Sequence, residues 1–235
     1  GFINFEGVLK TKLELFDFIS SSEGEFIVNA DDEVLNNATK NYSSRVLYSS
    51  KVKTEIEGKL EGLTPFVALS YKTENYESPC IKTNMIGNYN FYNFLVAITF
   101  GQIFKVSNNE INEAISNYMP SNNRSQVLKT NNNLLIIDCY NANPSSMLAA
   151  LESFLMLKEQ NKIAILGDML ELGEESKDEH KKILAYCSNN KIEYITIGPI
   201  FQCLNKEGFN SIEDYLEFHS KNKLSEKTIL LKGSR

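Results

Sequence analysis

The sequence lacks the features that mark several classes of protein. It has no run of about 18 apolar residues, the length that a membrane-spanning helix needs, so we predict no membrane partner. It opens without a basic segment followed by an apolar one, so we expect no signal peptide. The formal net charge of −6 and the pI near 5.2 argue against a nucleic-acid partner, because nucleic-acid phosphates attract basic surfaces.

Cysteine and histidine are also scarce. The sequence has four cysteines with no CxxC pair and only two histidines, so it offers no zinc-binding cluster. Scattered cysteines are typical of reduced thiols, and we predict a cytoplasmic protein. The chain also has no GxxxxGK[ST] motif, which would cradle a phosphate, and no Ser-His-Asp or Cys-His arrangement is suggested.

The length and the apolar content suit one large domain or two ordinary ones. The chain has 235 residues, of which 42% are hydrophobic. It begins with Gly1 and stops at "LLKGSR", directly after an apolar run. We therefore expect a piece of a longer protein.

The first part of the chain mixes helical and strand-like patterns. Residues 4–19 predict an amphipathic helix, and residues 45–85 read as short strands broken by Gly and Pro. Two helices should follow, and Ser107 or Asn108 should cap the second. The Asn- and Ser-rich stretch "PSNNRSQVLKTNNN" then predicts a loop, which would be a plausible seam between domains.

The pattern changes after that loop. The apolar runs "LLIID", "KIAILGD", "EYITIG" and "KTILLKG" alternate with helical stretches near 145–159, 177–190 and 211–221. Fully apolar strands separated by helices indicate a parallel sheet that is covered on both faces. This part therefore predicts a small Rossmann-like α/β domain.

Lys12 stands out in the first predicted helix. At 100° per residue it falls in the middle of an apolar face, one turn from Leu9 and Phe16. The ordinary interpretation is a lysine that extends its amine to water, and base rates favour it. A lysine held away from water is instead nucleophilic, and its neutral amine can add carbon dioxide to form a carbamate that binds magnesium.

Two asparagines and one arginine are further candidates. Asn90 and Asn93 lie three residues apart at a helix start, where amide groups could bind an adenine edge or simply cap the helix. Arg124, alone in the polar loop, could reach a phosphate or be solvated.

The stretch "IIDCYNANPSSMLAAL" places polar residues directly after a strand. Ligands of open α/β sheets bind at the carboxyl ends of strands, so Asp138 is a candidate for gripping ribose hydroxyls or a cation. Asn141 and Asn143 have an equally good explanation as turn and cap residues, since Pro144 suits the first position of a helix.

The next strand ends in a similar way. Asp168 follows the strand "KIAILG", and it could be a binding residue or a carboxylate at a helix start. His180 falls on the following helix, where a solvated histidine is expected rather than a catalytic one.

These stretches together resemble the Mur ligases, the ATP-dependent amide-forming enzymes of peptidoglycan synthesis. "DCYNANPSSMLAAL", "ILGDMLELGEES" and "LLKGSR" are specific to the member that joins D-Ala-D-Ala to UDP-N-acetylmuramoyl-tripeptide. "FEGVLKTKLELF", "VNADD" and "GNYNFYNF" match in the right order, so the resemblance covers the whole chain.

The resemblance implies a fold and two domains. The fold would be α/β, with part of a central ATPase domain that has a β-rich segment at 1–127 and a Rossmann-like C-terminal domain at 128–235. The UDP-sugar domain and the P-loop would lie upstream, and a last helix would lie downstream. The chain alone should then not turn over ATP.

The resemblance also implies roles for single residues. Lys12 would be the carbamylated magnesium ligand, Asn90 and Asn93 would bind adenine, Arg124 would lie near the phosphates, and Asp138 would bind ribose. The substrate-binding positions, near the closed cleft between domains, would be Tyr140, Asn141, Asn143, Lys232 and Arg235. This chain departs from the family at two positions, with Tyr89 where the family usually has His and Ile137 where it often has Asp.

The implied cofactors are ATP and Mg²⁺, and the implied partners are UDP-N-acetylmuramoyl-tripeptide and D-Ala-D-Ala, with a monomer as the default. One alternative is another ligase of this superfamily, such as a relative of folylpolyglutamate synthetase. The other is a non-catalytic module that binds nucleotide or peptide.

Overall fold

The computed structural model describes residues 5–42, 44–63, 65–170 and 172–234. Contacts within the chain divide it into two compact units. The first unit comprises 1–61, 68–82 and 91–116, and the second comprises 62–67, 83–90 and 117–235. The predicted site residue Arg235 lies outside the described residues. No helix among the described residues is long and apolar enough to cross a membrane.

The first unit contains a sheet with helices. Its strands follow the order β1-β2-β3-β4-β5, and β6 pairs with β4. Strands β1, β2 and β3 pair in parallel, whereas β5 and β6 pair with β4 in antiparallel fashion. The elements are α1 (Phe5–Ser21), β1 (Phe26–Asn29), α2 (Glu33–Thr39), β2 (Arg45–Ser49), β3 (Ile56–Gly62), β4 (Ala68–Thr73), β5 (Tyr76–Glu77), β6 (Ile81–Lys82), α3 (Tyr89–Ile103) and α4 (Asn108–Asn117).

The core of the first unit includes residues of β1, β4 and α3. Val28, Leu69, Leu95 and Ile98 are all buried. Gly58 permits close packing, because a Cβ atom there would collide with the side chain of Leu95.

The second unit is a five-stranded sheet in the order β10-β9-β11-β8-β7. All neighbouring strands are parallel except β7, which runs antiparallel to β8 at one edge. The elements are β7 (Gln126–Lys129), β8 (Asn133–Asp138), α5 (Pro144–Met156), β9 (Lys162–Gly167), a 3₁₀ turn (Gly173–Glu175), α6 (Ser176–Asn189), β10 (Glu193–Ile197), α7 (Pro199–Leu204), α8 (Ile212–Lys221) and β11 (Lys227–Lys232).

Alternate residues of the second sheet enter two separate apolar clusters. Ala164 and Leu166 of β9 belong to the cluster that contains residues of α5, α6 and α7. Ile163 and Ile165 belong to a second cluster, with Tyr215 of α8. Since successive side chains of a strand point to opposite faces, the sheet has helices on both faces. The predicted α/β fold class is thus confirmed.

Several local predictions differ from the structure. The stretch predicted as a loop contains β7, whose polar sequence "QVLK" becomes a strand only through its hydrogen-bonded pairing with β8. The short helices α2 and α7 were not predicted.

Ser107 caps α4, since its hydroxyl accepts from the Glu110 amide at 3.3 Å and its amide donates to the Glu110 carboxylate at 3.1 Å.

Candidate functional site

An ion pair joins the carboxyl ends of two neighbouring strands in the second unit. Asp138 ends β8, Lys232 ends β11, and the two are register partners in the parallel ladder. Lys232 Nζ donates to Asp138 Oδ2 at 2.7 Å and to the Asn141 carbonyl at 2.8 Å. Lys232 is only 4% exposed and the Asp138 side chain only 14%. Two charges with so little access to water are stable only when they are paired. The ion pair therefore holds the ends of β8 and β11 together.

The other oxygen of Asp138 is bonded to the loop before β7. The amide of Ser125 donates to Asp138 Oδ1 at 3.2 Å, and the Cys139 amide donates to the Asn123 carbonyl at 2.8 Å. The loop thereby extends the pairing of β7 with β8 by hydrogen bonds at Asp138 and Cys139. Each carboxylate oxygen of Asp138 retains a lone pair after accepting one bond, which leaves it able to accept from a ligand hydroxyl.

Asn90 is a buried member of the same cluster. Its Nδ2 donates to the Ile86 carbonyl at 2.7 Å and to Ser125 Oγ at 3.1 Å, and the residue is 2% exposed. The hydroxyls of Tyr89 and Ser125 lie 2.6 Å apart. Burial, together with the charge of Asp138, raises the pKa of Tyr89 to about 12, although its bond to Ser125 works in the opposite direction.

Arg124 and Tyr140 stack on each other. Arg124 Cζ lies 3.6 Å from the centre of the Tyr140 ring, well inside the range of a cation–π contact. The structure thus brings Arg124 and Tyr140 together at the strand-end loops that also hold Asp138.

Asn141 and Asn143 shape the loop between β8 and α5. Asn143 caps α5, since its Oδ1 accepts from the Ser146 amide at 2.8 Å, which confirms the cap expected from the sequence. Asn141 Oδ1 accepts from the Ala142 amide at 2.9 Å and lies 3.3 Å from Ser234 Oγ. Both asparagines therefore have local structural partners.

Ser234 connects three strand-end loops of the second unit. Its Oγ accepts from the Leu170 amide at 3.3 Å and lies 3.1 Å from the Ala142 carbonyl, to which it donates. Its own amide donates to the Asp168 carbonyl at 3.3 Å. Sequence reasoning missed both Ser125 and Ser234, because a serine in a polar loop carries no signal of its partners.

Asp168 and His180 form a buried group beside this edge. The carboxylate of Asp168 accepts from the amides of Ile200 and Phe201, both at 2.9 Å, at the start of α7. Asp168 is thus a helix-start carboxylate, but of α7 rather than of the next helix along the chain. Gly198 has φ +127°, and a Cβ atom there would collide with that carboxylate.

The expectation that His180 is solvated was wrong, because His180 is fully buried. Its Nε2 accepts from the Met169 amide at 3.0 Å, and its Nδ1 lies 2.7 Å from the Ser176 carbonyl. These partners require a neutral ring with the proton on Nδ1. The 3.6 Å separation of Nε2 and the Asp168 carboxylate is therefore no salt bridge.

The first unit holds Lys12 and Asn93. Lys12 is exposed, which agrees with the ordinary interpretation of a lysine that extends its amine to water. Helical periodicity assigns a residue to a face, but it does not reveal what covers that face. Phe16 packs on Phe26 at 5.4 Å between ring centres, whereas Leu15 is 59% exposed. The carbamate role of Lys12 stays a prediction, as does adenine binding by Asn93, which is also exposed.

Asp31, in the "VNADD" stretch, is a polar centre of the first unit. It accepts from the hydroxyl of Ser49, from the Ser50 amide at 2.8 Å and from the Tyr92 hydroxyl at 3.1 Å. Burial raises the pKa of Asp31, but these hydrogen bonds outweigh burial and hold that pKa below its usual value. Within the described ranges, no group of three or more His, Cys, Asp or Glu side chains is placed to hold a metal ion.

Two family models match this chain. The Mur ligase middle domain matches residues 1–101, and the Mur ligase glutamate ligase domain matches residues 123–235. The chain therefore belongs to the Mur ligase family.

Within that family, the chain is similar to proteins named UDP-N-acetylmuramoyl-tripeptide–D-alanyl-D-alanine ligase. The protein from Bacillus subtilis is 29% identical over 203 residues, which cover 83% of this chain and 42% of that protein. The protein from Rickettsia prowazekii is 26% identical over the whole chain and 55% of its own length. The chain thus spans about half the length of the curated relatives it matches.

Solved structures share the fold. MurF from Acinetobacter baumannii superposes with a TM-score of 0.81 at 21% identity, over 100% of this chain and 53% of that one. MurF ligase from Thermotoga maritima in complex with ADP gives 0.79 at 18% identity, over 100% of this chain and 55% of that one. A folylpolyglutamate synthase from the same organism superposes with a TM-score of 0.59, over 86% of this chain and 48% of that one.

Proposed function

We propose that the protein containing this chain is an ATP-dependent ligase that joins D-Ala-D-Ala to UDP-N-acetylmuramoyl-tripeptide. The observation that carries this proposal is the Asp138–Lys232 cluster at the carboxyl edge of the second sheet, in a member of the Mur ligase family. Relatives of this chain carry the name of that ligase. The activity and both substrates belong to the whole protein, because the chain spans only part of its relatives.

The two domains proposed are residues 1–127, from the central ATP-binding domain, and residues 128–235, from the C-terminal domain. The family matches at 1–101 and 123–235 support two domains of these kinds. We also propose a cytoplasmic monomer.

Nucleotide binding is proposed at the edge where Asp138, Asn90 and Arg124 lie. The Thermotoga maritima neighbour is described in complex with ADP, which supports a nucleotide as one ligand. Asp138 would accept from the ribose hydroxyls through its remaining lone pairs. Asn90 stays a predicted adenine residue, and its Nδ2 donates to the Ile86 carbonyl and to Ser125 Oγ. Asn93 stays the second predicted adenine residue.

The proposed reaction makes a good leaving group and then displaces it. The terminal carboxylate of the tripeptide attacks the γ-phosphorus of ATP, ADP leaves, and an acyl phosphate results. The amine of D-Ala-D-Ala attacks the acyl carbon, phosphate leaves, the amine loses a proton, and the amide bond is formed. Arg124 would stabilise negative charge on the phosphates. The exclusion of water would protect the acyl phosphate from hydrolysis.

The magnesium ion stays a prediction from the resemblance, in which Lys12 would supply a carbamate ligand. The described residues contain no ready cluster of metal ligands, and Lys12 is exposed.

The proposal is tested by assaying the purified full-length gene product with ATP, UDP-N-acetylmuramoyl-tripeptide and either D-Ala-D-Ala or glutamate. We expect phosphate release and a new amide product that both depend on D-Ala-D-Ala. A product with glutamate alone would favour a folylpolyglutamate synthase-like ligase. An absence of any product would favour a non-catalytic binding module.

A further inference from the structure

The stacking of Arg124 on Tyr140 fixes the orientation of the Arg124 guanidinium. The guanidinium carbon lies 3.6 Å above the ring centre. Stacking at this distance covers one face of the planar guanidinium, while its N–H groups point outward in the plane. Tyr140 is 41% exposed and Arg124 is also exposed, so a ligand can reach the pair.

The backbone on both sides of Arg124 is held in an uncommon conformation. Asn123 has φ +54° and Ser125 has φ +51°, a region that residues other than glycine rarely adopt. Hydrogen bonds to Asp138 and Cys139 hold this conformation in place. Strained residues persist where the surrounding structure enforces them, and they concentrate at functional sites. The loop thus aims one side chain, that of Arg124, at the Tyr140 ring.

Arg124 forms no ion pair within the described part of the chain. Among the described residues, none accepts a hydrogen bond from Arg124 or forms a salt bridge with it, and the Tyr140 ring is its recorded partner. A guanidinium with its donors available matches the oxygens of a phosphate, which it can bind through two parallel N–H···O bonds.

We propose that Tyr140 is a positioning residue for nucleotide binding. Its ring holds the Arg124 guanidinium in the orientation in which the N–H donors meet phosphate oxygens of the nucleotide. This inference rests on the proposed function, and it gives Tyr140 a role other than the substrate binding near the closed cleft that the resemblance implies. The ring, rather than the hydroxyl, performs this role.

A double-mutant cycle in the full-length protein tests the inference. The variants are Tyr140→Leu, which removes the ring, Tyr140→Phe, which keeps it, Arg124→Ala and the double variant Arg124→Ala with Tyr140→Leu. Calorimetry measures the Kd for ADP, and steady-state kinetics measure the KM for ATP and for D-Ala-D-Ala.

We expect Tyr140→Leu to weaken ADP binding and raise the KM for ATP by about threefold to fivefold, within the range of an exposed cation–π contact. Tyr140→Phe should stay within about twofold of wild type, because a phenyl ring also stacks on a guanidinium. In the Arg124→Ala background, Tyr140→Leu should have no further effect, since coupled residues are not additive. The KM for D-Ala-D-Ala should not change.

Three results would overturn the inference while leaving the proposed function intact. The first is an equal loss of ADP affinity in Tyr140→Phe and Tyr140→Leu. The second is a Tyr140→Leu effect on ADP affinity that is as large in the Arg124→Ala background as in wild type. The third is a Tyr140→Leu variant in which only the KM for D-Ala-D-Ala rises. A wild-type protein that binds no ADP would overturn the nucleotide site itself, and the inference with it.

Discussion

Replacing Lys232 by Met removes one partner of the ion pair at the carboxyl edge of the second sheet. Methionine fills similar space but has no charge and no donor. Asp138 would keep its bond from the Ser125 amide, and the Asn141 carbonyl would lose its bond from Lys232. The variant therefore leaves a largely buried carboxylate without its counter-charge.

The size of the loss follows from the distance and the burial. At 2.7 Å and an effective dielectric constant of about 20, the attraction is about 6 kcal/mol, much of which desolvation of both charges cancels. Removing one partner of a buried pair typically costs about 3–5 kcal/mol. The Asp138 side chain is 14% exposed and retains one donor, so we expect the lower end, about 3 kcal/mol.

Native-state hydrogen exchange of the β8 and β11 amides is the suitable assay. It reports opening of the second unit even if the first unit unfolds separately. A loss of about 3 kcal/mol should speed exchange roughly 100-fold, since each 1.4 kcal/mol is a factor of ten.

Lys227→Met is the matched control, because Lys227 begins the same strand and pairs with Glu193 at 2.6 Å. Glu193 is 57% exposed, and such surface pairs contribute about 0–1 kcal/mol. Equal effects of the two substitutions would refute the reasoning, because burial would then not determine the strength of the pair.

Two further predictions concern His180 and Asp31. His180→Leu removes the acceptor of the buried Met169 amide and should cost about 2 kcal/mol by the same assay. His219→Leu, at a partly exposed position of α8, should cost under about 1 kcal/mol, and similar losses for the two variants would contradict the burial argument. The lowered pKa of Asp31 adds stability that is complete above its unfolded pKa of about 3.9 and is lost as the pH falls through the lower folded pKa. In acid unfolding curves, the stability difference between wild type and Asp31→Asn should thus shrink towards pH 2, and a constant difference would argue against this linkage.

Local sequence patterns determined much of the fold. The apolar runs of β8, β9, β10 and β11 were recognised as parallel strands, because a strand covered on both faces must be apolar along its whole length. Asn143 before Pro144 was recognised as a helix start, since its partner lies only three residues away. The edge strand β7 carried no such pattern, because its short sequence "QVLK" is half polar. It becomes a strand through its pairing with β8.

The candidate site was only partly readable from the sequence. Asp138 was identified because strand ends are where α/β sheets bind ligands. Its pairing with Lys232, 94 residues further along the chain, depends on the register of β8 and β11, which no local pattern specifies. The same holds for Ser125, which joins Asn90 to Asp138.

The sequence by itself determined which residues form strands and helices and which polar groups follow them, because those properties depend on neighbours within a few positions. Only the tertiary structure decided that His180 is buried, that Lys12 is exposed and that Arg124 rests on Tyr140. Burial and charge pairing are set by elements that are distant in sequence, so these roles became visible only when the strands and loops were in place.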